Sequence, residues 1–313
     1  MNPLQMDKRK LNDDEMGIDP NALVKVTTMK HIVEIQFMER VNNKAHIRKL
    51  DSNRYVDLKT GDIREFERTE NRSQGENSLR KTFNRLRELI NSNFDGAANE
   101  LFVTLTYRGE LQTNDPKIVY EDFKNFVKRL KYAYKDETSI DYINVLEPHE
   151  SGNFHMHVLF RFNDLKSVYI PNEVNRATGE SINAPLRDLW GNGNVTISSL
   201  KHCDNIGAYL SAYLSDIEVP DTLAGHFDVI EKEVDGQKKK FMKGARLRFY
   251  PTGVNIYRKS KGIEDADKKK MTYKTAQKKL GAATPNFKYG VELIDNEKEF
   301  RNTIIKEQYN LKR

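Results

Sequence analysis

The chain has 313 residues, with 52 Lys and Arg against 46 Asp and Glu, a formal charge of +6, and a single cysteine, Cys203. That length supports one large core or two modest ones, and a lone thiol excludes both a disulfide framework and a cysteine-rich zinc site. A charged fraction of 31%, a mean hydropathy of −0.75 and a pI near 9.0 lean toward a nucleic-acid partner.

No run approaches the roughly 18 apolar residues of a membrane helix, and residues 1–30 lack an apolar leader segment after their charges. A cytoplasmic protein with no membrane partner is expected. Residues 1–30 are polar and read as loose. "HIVEIQFMER" (31–40) reads as a strand, and "NRYVDLKTGDIREFER" (53–68) as a hairpin turning at Thr60-Gly61-Asp62. Leu79, Phe83, Leu86 and Ile90 recur at helical spacing with Arg80, Lys81, Arg85 and Arg87 between them, a helix with a basic face.

"LFVTLTY" (101–107) alternates as a strand does. A helix over 114–134 follows, with Asp115 as N-cap, Pro116 in its first turn and Val119, Phe123, Phe126, Val127 and Leu130 along its buried stripe. "DYINVLE" (141–147) is a strand, and the turn Pro148–Asn153 folds the next strand, "FHMHVLF", back onto it. A weaker helix is expected around 172–190, a strand at 194–200 and a short helix at 205–217. Glu218–Gly244 reads as charged loop, 245–260 as a hairpin turning at Pro251–Gly253, and the lysine-rich remainder as helical or solvated tail. The central order β-α-β-β-α-β, flanked by helices, predicts an α+β fold with an antiparallel sheet of ferredoxin- or RRM-like type.

Strand side chains repeat every two residues, so His155 and His157 share one face while Phe154, Met156, Val158 and Phe160 fill the other. A single histidine on a half-exposed strand is ordinarily a satisfied polar residue. Two on one face, with Cα atoms about 6.5–7 Å apart and acids across the hairpin, suit a metal ion. Glu147 ends the neighbouring strand and supplies a third ligand; His149 and Glu150 in the turn are alternatives. Two imidazoles and a carboxylate leave the remaining positions open to water or substrate, as a catalytic ion requires. Imidazole suits Mn²⁺ better than Mg²⁺, although abundant Mg²⁺ can serve.

On the helix at 205–217, Tyr209 and Tyr213 are four residues apart and share a face. Ile206, Leu210, Leu214 and Ile217 run beside them, so both phenols also suit core positions. The small residues Ala208, Ser211, Ala212 and Ser215 leave room for a ligand, and a phenolate can attack phosphorus to form a covalent ester.

"FVTLTY", "FHMHVLF" and "YLSAYLSD", in that order and spacing, resemble the three motifs of the HUH endonucleases, over about residues 97–217. Within that superfamily the chain is most similar to the two-tyrosine rolling-circle replication initiators of plasmids and filamentous phages. The resemblance implies that His155 and His157 are metal ligands completed by Glu147, that Tyr209 and Tyr213 hold the nucleophile positions, and that Thr104 and Thr106 support the same side of the sheet. Many relatives carry a lysine three residues after the tyrosine, where this chain has Ala212 and Asp216. The implied activity is nicking of one origin strand, leaving a 5′-phosphotyrosine and a free 3′-OH. Origin DNA is the expected partner, single-stranded at the nick and duplex for recognition. With no "GxxxxGK[ST]" motif present, a host helicase is expected alongside a polymerase.

The expected organisation is a loose tail over 1–30, a strand, hairpin and basic helix over 31–95, an endonuclease domain over 96–260 and a basic tail over 261–313. A conjugative relaxase or a transposase would share the chemistry, and a non-catalytic nucleic-acid-binding module would share the fold. RNA-binding sheets of that type display aromatics on the exposed face, whereas this one offers threonines and histidines.

Overall fold

The computed structural model describes residues 7–41, 45–51, 53–66, 76–149, 151–170, 173–174, 181–198, 200, 203, 205–207, 217–218, 229–234, 237–242, 249–251, 253–295 and 299–312. The chain divides into two units, residues 69–265 and residues 1–68 with 266–313.

The larger unit is built on five strands: β1 (Glu100–Leu105), β2 (Ile140–Pro148), β3 (Phe154–Phe162), β4 (Val195–Ser198) and β5 (Tyr257–Lys259). They lie in the order β4-β1-β3-β2-β5, every neighbouring pair antiparallel. Three helices accompany them, α1 (Glu76–Asn93), α2 (Pro116–Ala133) and α3 (Ala184–Trp190). The path β1-α2-β2-β3-α3-β4 is the expected ferredoxin-like arrangement, with β5 added at one edge.

Helix α2 starts where Asp115 accepts a hydrogen bond from the Lys117 amide at 2.8 Å, with Pro116 supplying a pre-set φ. Its stripe of Val119, Phe123, Phe126, Val127 and Leu130 is buried against the even positions of β3. Phe126 meets Phe160 edge-on at 6.1 Å between centroids and Trp190 at 5.8 Å. Removing the fully buried Phe126 ring would cost about 3–5 kcal/mol, the change most damaging to that layer. Helix α3 is capped by Asn183, whose side chain accepts from Leu186 N at 3.0 Å, and ends at Gly191 with φ 76°. Arg129 of α2 donates to the Leu189 and Trp190 carbonyls at 2.6 and 3.1 Å, which satisfies C-terminal groups of α3.

On the other face of the sheet, Leu86, Leu89 and Ile90 of α1 join the core that contains Phe102 and Leu159. Arg161 donates to the Asn93 carbonyl at 3.1 Å. The odd positions of β3 therefore run from Arg161 and Leu159, at the α1 end, to His157 and His155.

Two expectations change here. Helix over 172–190 is confined to α3, preceded by a two-residue antiparallel bridge between Glu173–Val174 and Ser181–Ile182. The charged stretch 218–244 is not wholly loop: Val229–Val234 pairs with Gln237–Met242, to which Ile217–Glu218 adds. High charge concealed short strands whose register sets Glu231 opposite Lys240 and Glu233 opposite Lys238. Of the hairpin expected over 245–260, the turn residue Thr252 and residues 243–248 lie outside the described residues; Tyr257–Lys259 is β5.

The second unit is a six-stranded antiparallel sheet that interleaves both ends of the sequence. Its order is Asp7–Lys10, Phe287–Asp295, Phe300–Asn310, Ile32–Met38, Leu23–Met29 and Asp267–Thr272. Val24, Val26, Val33, Ile35 and Tyr309 form its core with Tyr273 and Ala276 of the helix Tyr273–Leu280. A small sheet of Ile47–Lys49, Arg54–Asp57 and Ile63–Glu65 contains the expected hairpin, turning at Gly61 with φ 80°. The loose N-terminal tail and the basic C-terminal tail therefore do not stand as expected, because the described parts of both are strands. Alternation of Val24 with Val26, and of Ile305 with Tyr309, was hidden by the lysines and acids between them. No helix among the described residues is long and apolar enough to cross a membrane.

Candidate metal centre

Strand pairing decides which side chains meet. The β2–β3 register places Glu147 opposite His155 and Val145 opposite His157, and the β1–β3 register places Thr104 opposite His157. The turn fixes that register: His149 N donates to the Asn153 carbonyl at 2.6 Å, and Gly152 takes φ 84°, a backbone region that favours glycine. Paired residues share a face, so Glu147, His155, His157 and Thr104 emerge together.

The ligating atoms of Glu147, His155 and His157 all lie within 4.8 Å of one another. His155 Nε2 is 2.8 Å from Glu147 Oε2 and 3.1 Å from His157 Nε2, and His157 Nε2 is in direct contact with the same carboxylate oxygen. Glu147 is 2% exposed. Burial holds the His157 imidazole down at about 4; burial, and then the neighbouring His157, holds His155 at about 3. Both rings are therefore neutral at pH 7, with lone pairs to offer.

This donor set fits a cation. Two Nε2 atoms 3.1 Å apart have no room for a proton on each, and their lone pairs face a buried carboxylate. Such a cluster of like-signed lone pairs is relieved by a positive ion among them. For bonds of about 2.1 Å meeting at right angles, adjacent ligands lie about 3 Å apart. The separations of 2.8 and 3.1 Å match that spacing.

The surroundings of the two histidines differ. His157 Nδ1 is 3.0 Å from Thr104 Oγ1, and its ring stacks on Phe102 at 5.4 Å between centroids. His155 Nδ1 is buried without a hydrogen-bond partner. His149 lies outside the cluster, its ring edge-on to His155 at 5.2 Å. Glu150 lies outside the described residues. Thr106 lines a recess of about 90 Å³ beside the cluster with Gln112, His149, Asn153 and His155. Tyr107, at the end of the first motif, belongs to the opposite layer: its phenol donates to Asp122 of α2 at 2.8 Å, and burial followed by that bond pushes its pKa up.

Tyr209 and Tyr213 lie outside the described residues. The segment that leads into them is described as far as Gly207, and it is held by a residue the sequence did not flag. Asn91 of α1, 2% exposed, donates from Nδ2 to Asn205 Oδ1 at 2.9 Å and accepts at Oδ1 from Gly207 N at 2.8 Å. A Cβ on Gly207 would stand 2.6 Å from the Arg87 carbonyl and 2.8 Å from Asn91 Oδ1, so glycine is required for this close approach. Ile206 is buried in the same core. The only sequence signal was a polar residue beside the apolar stripe of α1.

Fold and cluster define an α+β unit of ferredoxin-like topology with a candidate metal site of two histidines and a glutamate on its sheet. The family model for the replication-associated protein ORF2/gene 2 protein matches residues 100–218, from β1 to the strand Ile217–Glu218. That match supports kinship with replication initiators, and its span takes in Glu147, His155 and His157 as well as Tyr209 and Tyr213. No curated protein and no solved structure matches the chain.

Proposed function

We propose that this protein is a rolling-circle replication initiator of the two-tyrosine HUH type, which nicks one strand of origin DNA. The observation that carries the reading is the convergence of Glu147, His155 and His157 on one point of the sheet, within the span similar to the replication-associated family. These three residues would hold a divalent ion, with Mn²⁺ favoured by the imidazoles and Mg²⁺ able to serve. When bound, that ion supplies Lewis-acid polarisation of a phosphoryl oxygen.

Tyr209 or Tyr213 is the nucleophile. The phenol gives its proton to solvent, its oxygen forms a bond to phosphorus, the P–O3′ bond breaks, and the departing 3′ oxygen takes up a proton. The 5′ end remains as a phosphotyrosine ester, and the 3′-OH primes synthesis. A second tyrosine on the same helix face serves the second transesterification that releases a finished strand. His157, oriented through Nδ1 by Thr104, and Glu147, fixed in the β2 ladder, present their donors without rearranging.

The test is to incubate the protein with Mn²⁺ and single-stranded origin DNA and look for an adduct that survives SDS. Adduct formation that EDTA abolishes is expected. An undiminished adduct in the His155→Ala/His157→Ala double variant would sink the reading.

A further inference from the structure

The ladder of the five-stranded sheet continues past the end of β1. Thr106 N donates to the Asn194 carbonyl at 2.9 Å and Arg108 N to the Asn192 carbonyl at 3.0 Å. Arg108 is extended, with φ −76° and ψ 151°. Alternation therefore persists, with Tyr107 on the α2 layer and Thr104, Thr106 and Arg108 on the side of His157. Four residues of strand carry Arg108 about 13 Å from Thr104 along the sheet, a span of a few nucleotides.

Arg108 meets a second arginine there. It lines an open groove of about 520 Å³ with Arg187 and Asp188 of α3, Gly191, Gly193 and Asn194. Gly193 lets the two chains come this close, since a Cβ there would collide with the Thr106 carbonyl and the Arg108 amide. Arg187 has one acidic partner, its neighbour Asp188 at 3.4 Å. The exposed Arg108 side chain has no ion-pair or hydrogen-bond partner among the described residues. Two guanidinium groups from different elements, set against one carboxylate and pinned on rigid backbone, form a forked donor set suited to a phosphodiester.

We propose that Arg108 and Arg187 form a backbone-phosphate subsite for the single strand, a few nucleotides from the scissile position. The inference rests on the nicking reading, because it needs a strand that leaves the metal cluster along β1. The subsite fixes register without reading bases.

The test is binding of fluorescent single-stranded oligothymidine, measured across a salt series. It would compare wild type, Arg108→Ala, Arg187→Ala, the double variant, Arg108→Lys, and Lys124→Ala as a control from an exposed ion pair on α2. Each alanine variant is expected to lose about 10-fold in affinity at about 50 mM salt. Each should also flatten the slope of log affinity against log salt by about 0.7, and the double variant by about 1.4. Arg108→Lys should retain the slope, Lys124→Ala should match wild type, and melting temperatures should not change. An unaltered slope in the double variant, with wild-type binding intact, would overturn the subsite and leave the nicking reading standing. Failure of the wild type to bind any single strand would defeat the nicking reading, and the subsite with it.

Discussion

Replacing Thr104 with valine probes how the metal cluster is oriented. For His157 to offer Nε2 to an ion, its proton must sit on Nδ1, and the group facing Nδ1 is Thr104 Oγ1 at 3.0 Å. Valine keeps the branched shape against Phe102 and deletes the acceptor. A buried N–H left without a partner costs about 1–3 kcal/mol. Loss of an outer partner of a metal-bound histidine typically costs 10–100-fold in affinity, or about 1.4–2.7 kcal/mol. The two routes agree, so Thr104→Val should weaken Mn²⁺ binding by about 10–100-fold in calorimetric titration. Thr106→Val is the comparison. The interactions made by Thr106 are backbone ones, to Asn194 and from the Trp190 indole N–H at 3.2 Å, so its Mn²⁺ affinity should stay within about two-fold of wild type. Unchanged affinity in Thr104→Val would refute the claim that this hydroxyl sets the His157 tautomer.

Mn²⁺ at about 100 times its dissociation constant should stabilise the protein by about 2.7 kcal/mol in thermal melts; His155→Ala or His157→Ala should erase that increment, and a retained one would place the ion elsewhere. Tyr209→Phe and Tyr213→Phe should each leave some SDS-resistant adduct and the double variant none; full loss in one single variant, with near-normal adduct in the other, would show that one tyrosine acts alone. Asn91→Ala removes two buried hydrogen bonds, worth about 2–3 kcal/mol, and should lower the melting temperature by about 5–10 °C; an unshifted melt would show that the anchor at Gly207 contributes nothing to stability. Truncation after Ser260 removes three strands of the six-stranded sheet and should yield aggregating or protease-sensitive protein, whereas a well-folded product with only weaker DNA binding would restore the view of this segment as a mere basic tail.

The five-stranded sheet was legible because its code is local. Period-two alternation put His155 and His157 on one side, and a short polar turn brought the preceding strand back beside them. Choosing Glu147 over His149 needed the register, which depends on the Gly152 turn and on pairing that continues to Pro148. Asn91 was illegible because its partners are 114 and 116 residues away and nothing nearby marks it. The second sheet was concealed by charges at core positions. Glu307 is 2% exposed, yet it accepts from the Tyr273 and Tyr309 phenols at 3.1 and 2.7 Å and pairs with Lys288 at 3.4 Å. A carboxylate so satisfied can occupy an interior site, but in sequence it breaks the apolar alternation that would have announced a strand.

The interleaving of the two chain ends has a consequence for synthesis. Ile32–Met38 pairs with Phe300–Asn310, so roughly 260 residues must be translated before that strand meets its partner. At about 5–20 residues per second, the delay is roughly 15–50 s. Throughout it, Ile32–Met38 has only Leu23–Met29 beside it, and its other edge is an unpaired ladder rich in isoleucine, valine and phenylalanine. Such edges recruit foreign strands. The nascent chain therefore depends on holding chaperones or fast elongation, and recovery of folded protein should rise when either is increased.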